Sequence, residues 1–451
     1  MSTDFAYLIF SVAALGVFSK LRAELAVLIV FLGGWLLLPV GHYPAGSAQA
    51  TFAFWIVGSA LPSDMLLTKA WVAPLAALCG ALVFDRRSFP AWRPGWVDAP
   101  MVMWCCWPLV QALMVETTAP QGGSASAYLW GSWGTTWLLG RIYFFRPSSQ
   151  LLLLQGLIWS VVACVPIAVI EGTTGDSVYG HLFEPHPFRF DGSVRYQGFR
   201  PLGFFENGNQ YGLWVSLCAL AAVWWVLSLR KRQAIAEPTN LITKVGAAVC
   251  VLVAVAAQSM GALLLAASGA AVLSVSRLIR PRLLAFGLTG ALLVTSLVYV
   301  SGVIPITQIG KGSDFGQRVV SAFRAVGRGS FTWRISQDQK LLPAVKANLL
   351  IGSGQWDWWR EKNTRPWGLA MLLLGQYGLV GLTLCFGCVL WPALREAWRA
   401  PLASAWRVDG MPLVLALIVG LTMLDALMNS FIFFPAVLIA GSLAGLRKTR
   451  A

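Results

Sequence analysis

Charge is scarce in this sequence. Asp, Glu, Lys and Arg together make up 12% of its 451 residues, about half the share found in an ordinary soluble domain. A soluble globule of this length has too much surface to cover with so few charges, so most of the surface must face lipid. A soluble enzyme, a disordered chain, a collagen and a coiled coil are excluded together. Histidine is rarer still, with three residues (His42, His181 and His186). There is no H-E-x-x-H, which argues against zinc-dependent proteolysis. No aspartate-rich pair suited to Mg²⁺ is visible. The eight cysteines all lie inside apolar stretches and none sits in a long loop, so no disulfide framework is expected. Cys385 and Cys388 form a C-x-x-C on one apolar helix without a second pair, short of the four ligands of structural zinc. No repeat of about 20–50 residues is present. The start, Met1-Ser2-Thr3-Asp4, lacks the basic segment of a cleavable signal.

What the chain does have is apolar surface. Hydrophobic residues reach 57%, with 22 Trp and 24 Phe, which suits aromatic belts at two bilayer interfaces. Spans of about 20 mostly apolar residues are read near 5–19, 24–40, 65–84, 98–116, 125–143, 148–170, 206–229, 241–257, 260–276, 283–300, 366–391, 411–429 and 431–446. The fold expected is an all-α integral membrane protein of about 12–13 transmembrane helices, with 50–61 interfacial or re-entrant. The uncharged run from Val245 to Ser276 would be about 48 Å long as one helix, against a core of about 30 Å. Gln258-Ser259-Met260-Gly261 is therefore read as a turn between two short spans.

The net charge is +15. In a membrane protein the first reading of such an excess is the positive-inside bias, and no nucleic-acid partner is expected. Lys20 and Arg22, Arg86 and Arg87, Arg146, Arg230-Lys231-Arg232, Arg277, Arg280 and Arg282, Arg395 and Arg399, and Arg447-Lys448 alternate with weakly charged turns and mark the cytoplasmic side. By parity the two long loops, 171–205 and 301–365, fall outside. The chain thus divides into helices 1–170, a first outer loop 171–205, central helices 206–300, a large basic loop 301–365 and C-terminal helices 366–451.

The spans are almost bare of charge, so polar chemistry belongs to the loops. Loop 301–365 has ten basic residues against four acidic ones, a difference of +6. Phe315, Val319, Phe323 and Val326 repeat at helical spacing, as in an amphipathic helix lying on headgroups. Arginine there also suits a phosphorylated ligand, because its planar fork grips phosphate oxygens in pairs. The first loop ends in the run from Arg195 to Gly212, with two arginines, four glycines and two asparagines just before a clean apolar span. Asn207 or Asn209 can cap that helix, and a helix N-terminus beside arginines is a ready anion site. Candidate bases are Glu206, beside the arginine run, and His186, which with His181 frames Glu184. Asp425 is an intramembrane acid that shares a helix face with Asn429.

At this point the chain resembles a family. Arg200-x-x-Gly203-x-Phe205-x-Asn207-x-Asn209 is similar to the R-x-x-G-x-F-x-x-P-N run of the O-antigen ligase and polysaccharide polymerase superfamily, where it also opens a spanning helix. Trp333-Arg334, Leu342-Pro343 and Asn348-Leu349-Leu350-Ile351-Gly352-Ser353-Gly354 resemble the family's R…W…P-L-x-G-x-G stretch. Gly375-Gln376-Tyr377-Gly378-Leu379-Val380-Gly381-Leu382 resembles its E-x-G-L-x-G-L helix. The resemblance covers about residues 195–390 and departs at two places. Where family ligases carry a His-Asn pair, this chain has Arg365-Pro366-Trp367-Gly368, and where the family has Ser-Arg-Gly it has Ser259-Met260-Gly261.

The resemblance implies a membrane glycosyltransferase in the bacterial cytoplasmic membrane, its site facing the periplasm or exterior; without an aspartate-rich pair, no metal and no other cofactor are expected. It would polymerise undecaprenyl-diphosphate-linked repeat units into a surface polysaccharide or exopolysaccharide, with a chain-length regulator as partner. Arg200 and Arg334 are expected to hold the diphosphate, with Arg318 and Arg365 behind them. Arg195, Asn207, Asn209, His186 and Asp425 are further candidates, and Glu206 is the expected catalytic base. Two alternatives stay open: a ligase transferring glycan to lipid A-core, and a lipid or glycan flippase. The missing His counts against the first, and the bare midplane without inverted repeats against the second.

Overall fold

The computed structural model describes residues 1–41, 60–62, 67–115, 119–183, 194–195, 198–232, 241–287, 329–362, 364–401 and 405–445, with single positions between 288 and 328. The helices in chain order are α1 (Thr3–Lys20), α2 (Ala23–Leu37), α3 (Lys69–Phe84), α4 (Ala99–Met114), α5 (Ala119–Leu129), α6 (Thr135–Tyr143), α7 (Pro147–Ala163), α8 (Val165–Thr174) and α9 (Val178–Leu182). A hairpin of β1 (Val194–Arg195) and β2 (Gly198–Phe199) follows, antiparallel with Arg195 opposite Gly198. Then come α10 (Gly208–Arg232), α11 (Leu241–Ala256), α12 (Met260–Val275), α13 (Gly329–Ala347), α14 (Leu369–Arg399), α15 (Met411–Asp425) and α16 (Pro435–Gly445).

Among the described residues, five helical segments are long and apolar enough to cross a membrane: Thr3–Lys20, Pro147–Thr174, Gly208–Leu229, Leu369–Arg399 and Val408–Asp425. Six more are apolar but have 10–17 residues. The sequence suggests about 12–13 spans. The difference arises because six apolar helices stop short of 18 residues, one apolar run is broken into pieces, and most of 283–300 lies outside the described residues. The broken run, 125–143, is divided by a π-helical turn at Trp130–Gly134. The expected turn after α11 is present, with Gln258 at φ +50°. The segment 50–59, most of 283–300, and Phe315, Val319, Phe323 and Val326 lie outside the described residues.

The apolar surface divides as a lipid solvent demands. Leu8, Val12, Leu113 and Leu252 point outward, while the interior is filled by large rings. Trp35, Trp104, Trp133, Trp214, Trp224 and Trp359 are fully buried, so these tryptophans serve the interior and not an interfacial belt. Bulky rings fill the gaps between apolar helices, and two of the six reach backbone carbonyls with their N–H groups. Trp133 donates to the Ala60 carbonyl at 2.6 Å and Trp224 to that of Ala405 at 2.5 Å.

The most irregular element is α14, broken at Gly378 (φ 68°, ψ −171°). A break in an apolar setting leaves peptide groups that no water will satisfy. Segment 349–354 satisfies them. Ser353 N–H donates to Gly375 O (2.9 Å), Gly354 N–H to Gln376 O (3.0 Å), Leu379 N–H to Leu349 O (2.8 Å) and Val380 N–H to Leu350 O (3.2 Å). From α4, Trp107 Nε1 donates to Tyr377 O at 3.0 Å, and Gln111 Nε2 to Ile351 O at 2.6 Å and Gln376 O at 2.7 Å. Two glycine-rich stretches, distant in sequence, are thus halves of one backbone joint.

Glycine is required on both sides of that joint. A Cβ on Gly352 (φ +83°) would lie 2.4 Å from Gly378 N, and one on Gly378 would lie 2.3 Å from Leu350 O. Gly352→Ala and Gly378→Ala are each expected to cost at least about 1–3 kcal/mol from backbone strain alone. Thermal unfolding in detergent reads the loss, and a midpoint equal to wild type for both variants contradicts this account of the joint.

Candidate functional site

The site lies where α10 and α14 begin and α15 ends. Three segments distant in sequence meet there. The first is the hairpin and loop 194–207. Its residues 200–207 are buried yet form neither helix nor strand, so their peptide groups must find partners elsewhere. Glu171 on α8 supplies two of them: its Oε2 accepts N–H bonds from Leu202 and Gly203, both at 2.8 Å. The Lys69 ammonium, at the start of α3, donates to the Phe204 carbonyl at 2.6 Å. Asn207 caps α10, its Oδ1 accepting the N–H groups of Asn209 (2.9 Å) and Gln210 (3.0 Å), while Gln210 Oε1 accepts the Glu206 N–H at 3.0 Å.

This scaffold places Arg200, 2% exposed, over the first residue of α10. A Cβ at Gly208 would lie 2.2 Å from its Nε, so the helix begins on glycine because a guanidinium occupies the space. Nη1 donates to Asn209 Oδ1 at 3.2 Å, and the buried Nε has no hydrogen-bond partner among the described residues. Cation and helix N-terminus are both positive here, an arrangement that favours an anion between them.

Further positive charge lies close by, linked to Arg200 through Arg334. Burial, with Arg195 and Arg334 nearby, pushes the Arg200 guanidinium down to about 9. Burial and then Arg334 lower that of Arg365 as well; a guanidinium stays charged at neutral pH regardless. Arg334 on α13 donates from Nη1 to Asn429 Oδ1 at 2.8 Å and to the Met428 carbonyl at 3.2 Å, and Asn429 Nδ2 in turn donates to Asp425 Oδ1 at 2.9 Å. Trp367 links the last two arginines, with Arg365 Cζ 3.7 Å and Arg334 Cζ 5.3 Å from its ring. The Trp367 N–H is held by Asp338 Oδ1 at 2.8 Å. Burial pushes the Asp338 carboxyl up to about 7, against the pull of the Trp367 N–H, the Arg334 charge and the Gly368 N–H.

The structure therefore brings Arg195, Arg200, Arg334 and Arg365 into one electrostatic neighbourhood. Arg318 is exposed on a helical turn and joins none of these contacts among the described residues. Asn207 acts as a cap, Asn209 holds Arg200, and Asp425 orients Arg334 through Asn429. Glu206 is 2% exposed, with neither carboxylate oxygen hydrogen-bonded among the described residues. Burial raises its carboxyl and the Lys69 charge opposes that rise. The Lys69 ammonium itself lies 5.1 Å from the ring centroids of both Trp35 and Phe205. Glu206 is thus electrostatically tied to Lys69 and not to the arginines. His181 is exposed and 2.8 Å from Asp176, while His186 and Glu184 lie outside the described residues.

Asp338, Trp367 and Glu171 are the site residues that sequence reasoning missed. Asp338 is one of the four acids of a basic loop, with nothing along the chain to single it out. Glu171 lies at the end of an apolar run, where an acid reads as a loop boundary. Among the described residues no three His, Cys, Asp or Glu side chains gather as a metal would require. What this enclave can do is hold a multiply charged anion with a carboxyl group beside it. No family model matches the chain, and a comparison with curated proteins finds no match.

Proposed function

We propose that this helical membrane protein is a metal-independent glycosyltransferase that polymerises undecaprenyl-diphosphate-linked oligosaccharide units at the outer face of a bacterial cytoplasmic membrane. The single observation that carries the reading is a group of four arginines from three separate segments, with Arg200 seated over the start of α10, Arg195 and Arg334 close enough to act on its charge, and Arg365 sharing Trp367 with Arg334. A diphosphate is the anion such a group suits, because it presents several oxygens to several planar forks. The resemblance of residues 195–390 to the O-antigen ligase and polymerase superfamily supports the same substrate class.

The chemistry follows from charge. An acceptor sugar hydroxyl attacks the anomeric carbon of the donor as the bond from that carbon to the diphosphate oxygen breaks. The electron pair stays on the diphosphate, whose growing charge meets the guanidinium groups already in place. The hydroxyl proton passes to a carboxylate. Asp338 is better placed for that role than Glu206, because it shares the arginine enclave. An ionised Asp338 is required, so the rate rises with pH through about 7. Asp338→Asn is expected to remove that limb of the pH–rate profile and to slow turnover by about a hundredfold or more. A full rate with an unchanged profile excludes Asp338 as the base.

One assay tests the class. Purified protein in liposomes is given lipid-linked repeat units, and the products are resolved by length. A ladder of repeats supports the polymerase. A single transfer to lipid A-core makes the protein a ligase, and lipid movement without bond formation makes it a flippase.

A further inference from the structure

We propose that Glu171 is a positioning residue that sets the place of the anion-binding Arg200, an inference that rests on the diphosphate reading above. Glu171 is wholly buried, and both its oxygens accept backbone N–H bonds. Oε2 takes those of Leu202 and Gly203 at 2.8 Å each, and Oε1 takes that of Val178 at 3.1 Å.

Arg200 is separated from these gripped residues only by Pro201, whose ring fixes φ. Gly203 turns the chain at φ +53°, and on its far side Lys69 holds the Phe204 carbonyl. An anion on one side and a cation on the other thus grip three consecutive residues of a buried, irregular loop. Without Glu171 the Leu202 and Gly203 amides have no helix or sheet to bond to, and the loop must shift to satisfy them. Arg200 moves with it, away from the start of α10. The carboxylate touches no substrate in this account; it acts through the backbone that carries the arginine.

The test uses the full chain in lipid nanodiscs, with hydrogen exchange at residues 202–203 and equilibrium binding of undecaprenyl diphosphate and undecaprenyl monophosphate. In the wild-type protein these two amides, outside any helix, are expected to exchange as slowly as helix amides. Fast exchange there overturns the clamp without any variant. Glu171→Ala should speed exchange at both amides and weaken diphosphate binding by about tenfold. KM should rise more than kcat falls. Glu171→Gln, which keeps the bulk and one acceptor oxygen, should fall between the two. The monophosphate, with fewer oxygens to grip, should lose less.

Wild-type diphosphate affinity in Glu171→Ala despite faster exchange overturns the positioning role, as does lost affinity with unchanged exchange. Arg200→Ala serves as the separate check on the ligand. If that variant binds diphosphate like wild type, the diphosphate reading fails, while the exchange data still decide whether Glu171 grips the loop.

Discussion

Arg200→Ala and Arg334→Ala should each slow chain elongation by about a hundredfold, about 2.7 kcal/mol of lost transition-state stabilisation. The measurement is product length and rate with lipid-linked repeat units, beside a thermal midpoint that shows the variant still folds. The two arginines fail for different reasons. Arg200 is held by one bond to Asn209 and by its seat over Gly208, so removing it empties the helix N-terminus of its cation. Arg334 is oriented by Asn429, which is oriented by Asp425, so Asn429→Leu should reproduce part of its loss without removing a charge. Lysine should rescue neither position, because an ammonium cannot offer two parallel donors to a phosphate. Wild-type rates in both alanine variants would take these residues out of the site.

The second large effect is on stability. At a pH high enough to ionise Glu206, Lys69→Met should destabilise the protein by about 3–5 kcal/mol, the usual cost of stranding a buried charge. The loss should be greater at high pH than at low pH. Burial raises the Glu206 carboxyl and Lys69 opposes the rise, so without Lys69 the folded-state value climbs further above the unfolded one. Stability is then full below the unfolded-state value and is lost as pH rises from there through the folded value. Lys69→Met combined with Glu206→Gln should recover most of the loss and flatten the pH dependence. Glu206→Gln alone should be milder, because Lys69 keeps the Phe204 carbonyl and two aromatic faces. Thermal unfolding across pH in detergent gives all four corners of the cycle. Additive losses would show that the two side chains do not sense one another. Glu206→Gln also tests the base directly: a collapse of turnover with normal stability would return that role to Glu206.

Part of the site is legible in the amino-acid sequence. Arg200, Arg334 and Arg365 stand out because the spans are almost bare of charge and each of these lies in a loop beside a glycine- or tryptophan-rich stretch. The Asn207 cap is legible too, since capping is settled within one helical turn. Arg318 has the same composition in its favour and the structure leaves it exposed, because loop charge alone does not tell a solvated face from a buried one. Asp338 is hidden for the converse reason. Its importance comes from the Trp367 N–H and the Arg334 guanidinium that meet it, and nothing in the order of residues along the loop marks that meeting.

By itself the sequence determined the solvent and the class of structure. Apolar runs that long, with so few charges, must become helices in lipid, because only there are peptide groups satisfied from within. It also placed arginine-rich stretches next to a helix start. Tertiary structure alone decided which charges share a neighbourhood: Glu171 with the Leu202 and Gly203 amides, Lys69 with Glu206, segment 349–354 with the break at Gly378. Those pairings depend on how helices pack, and packing between apolar helices is set by shape and by single polar contacts that leave no periodic trace along the chain.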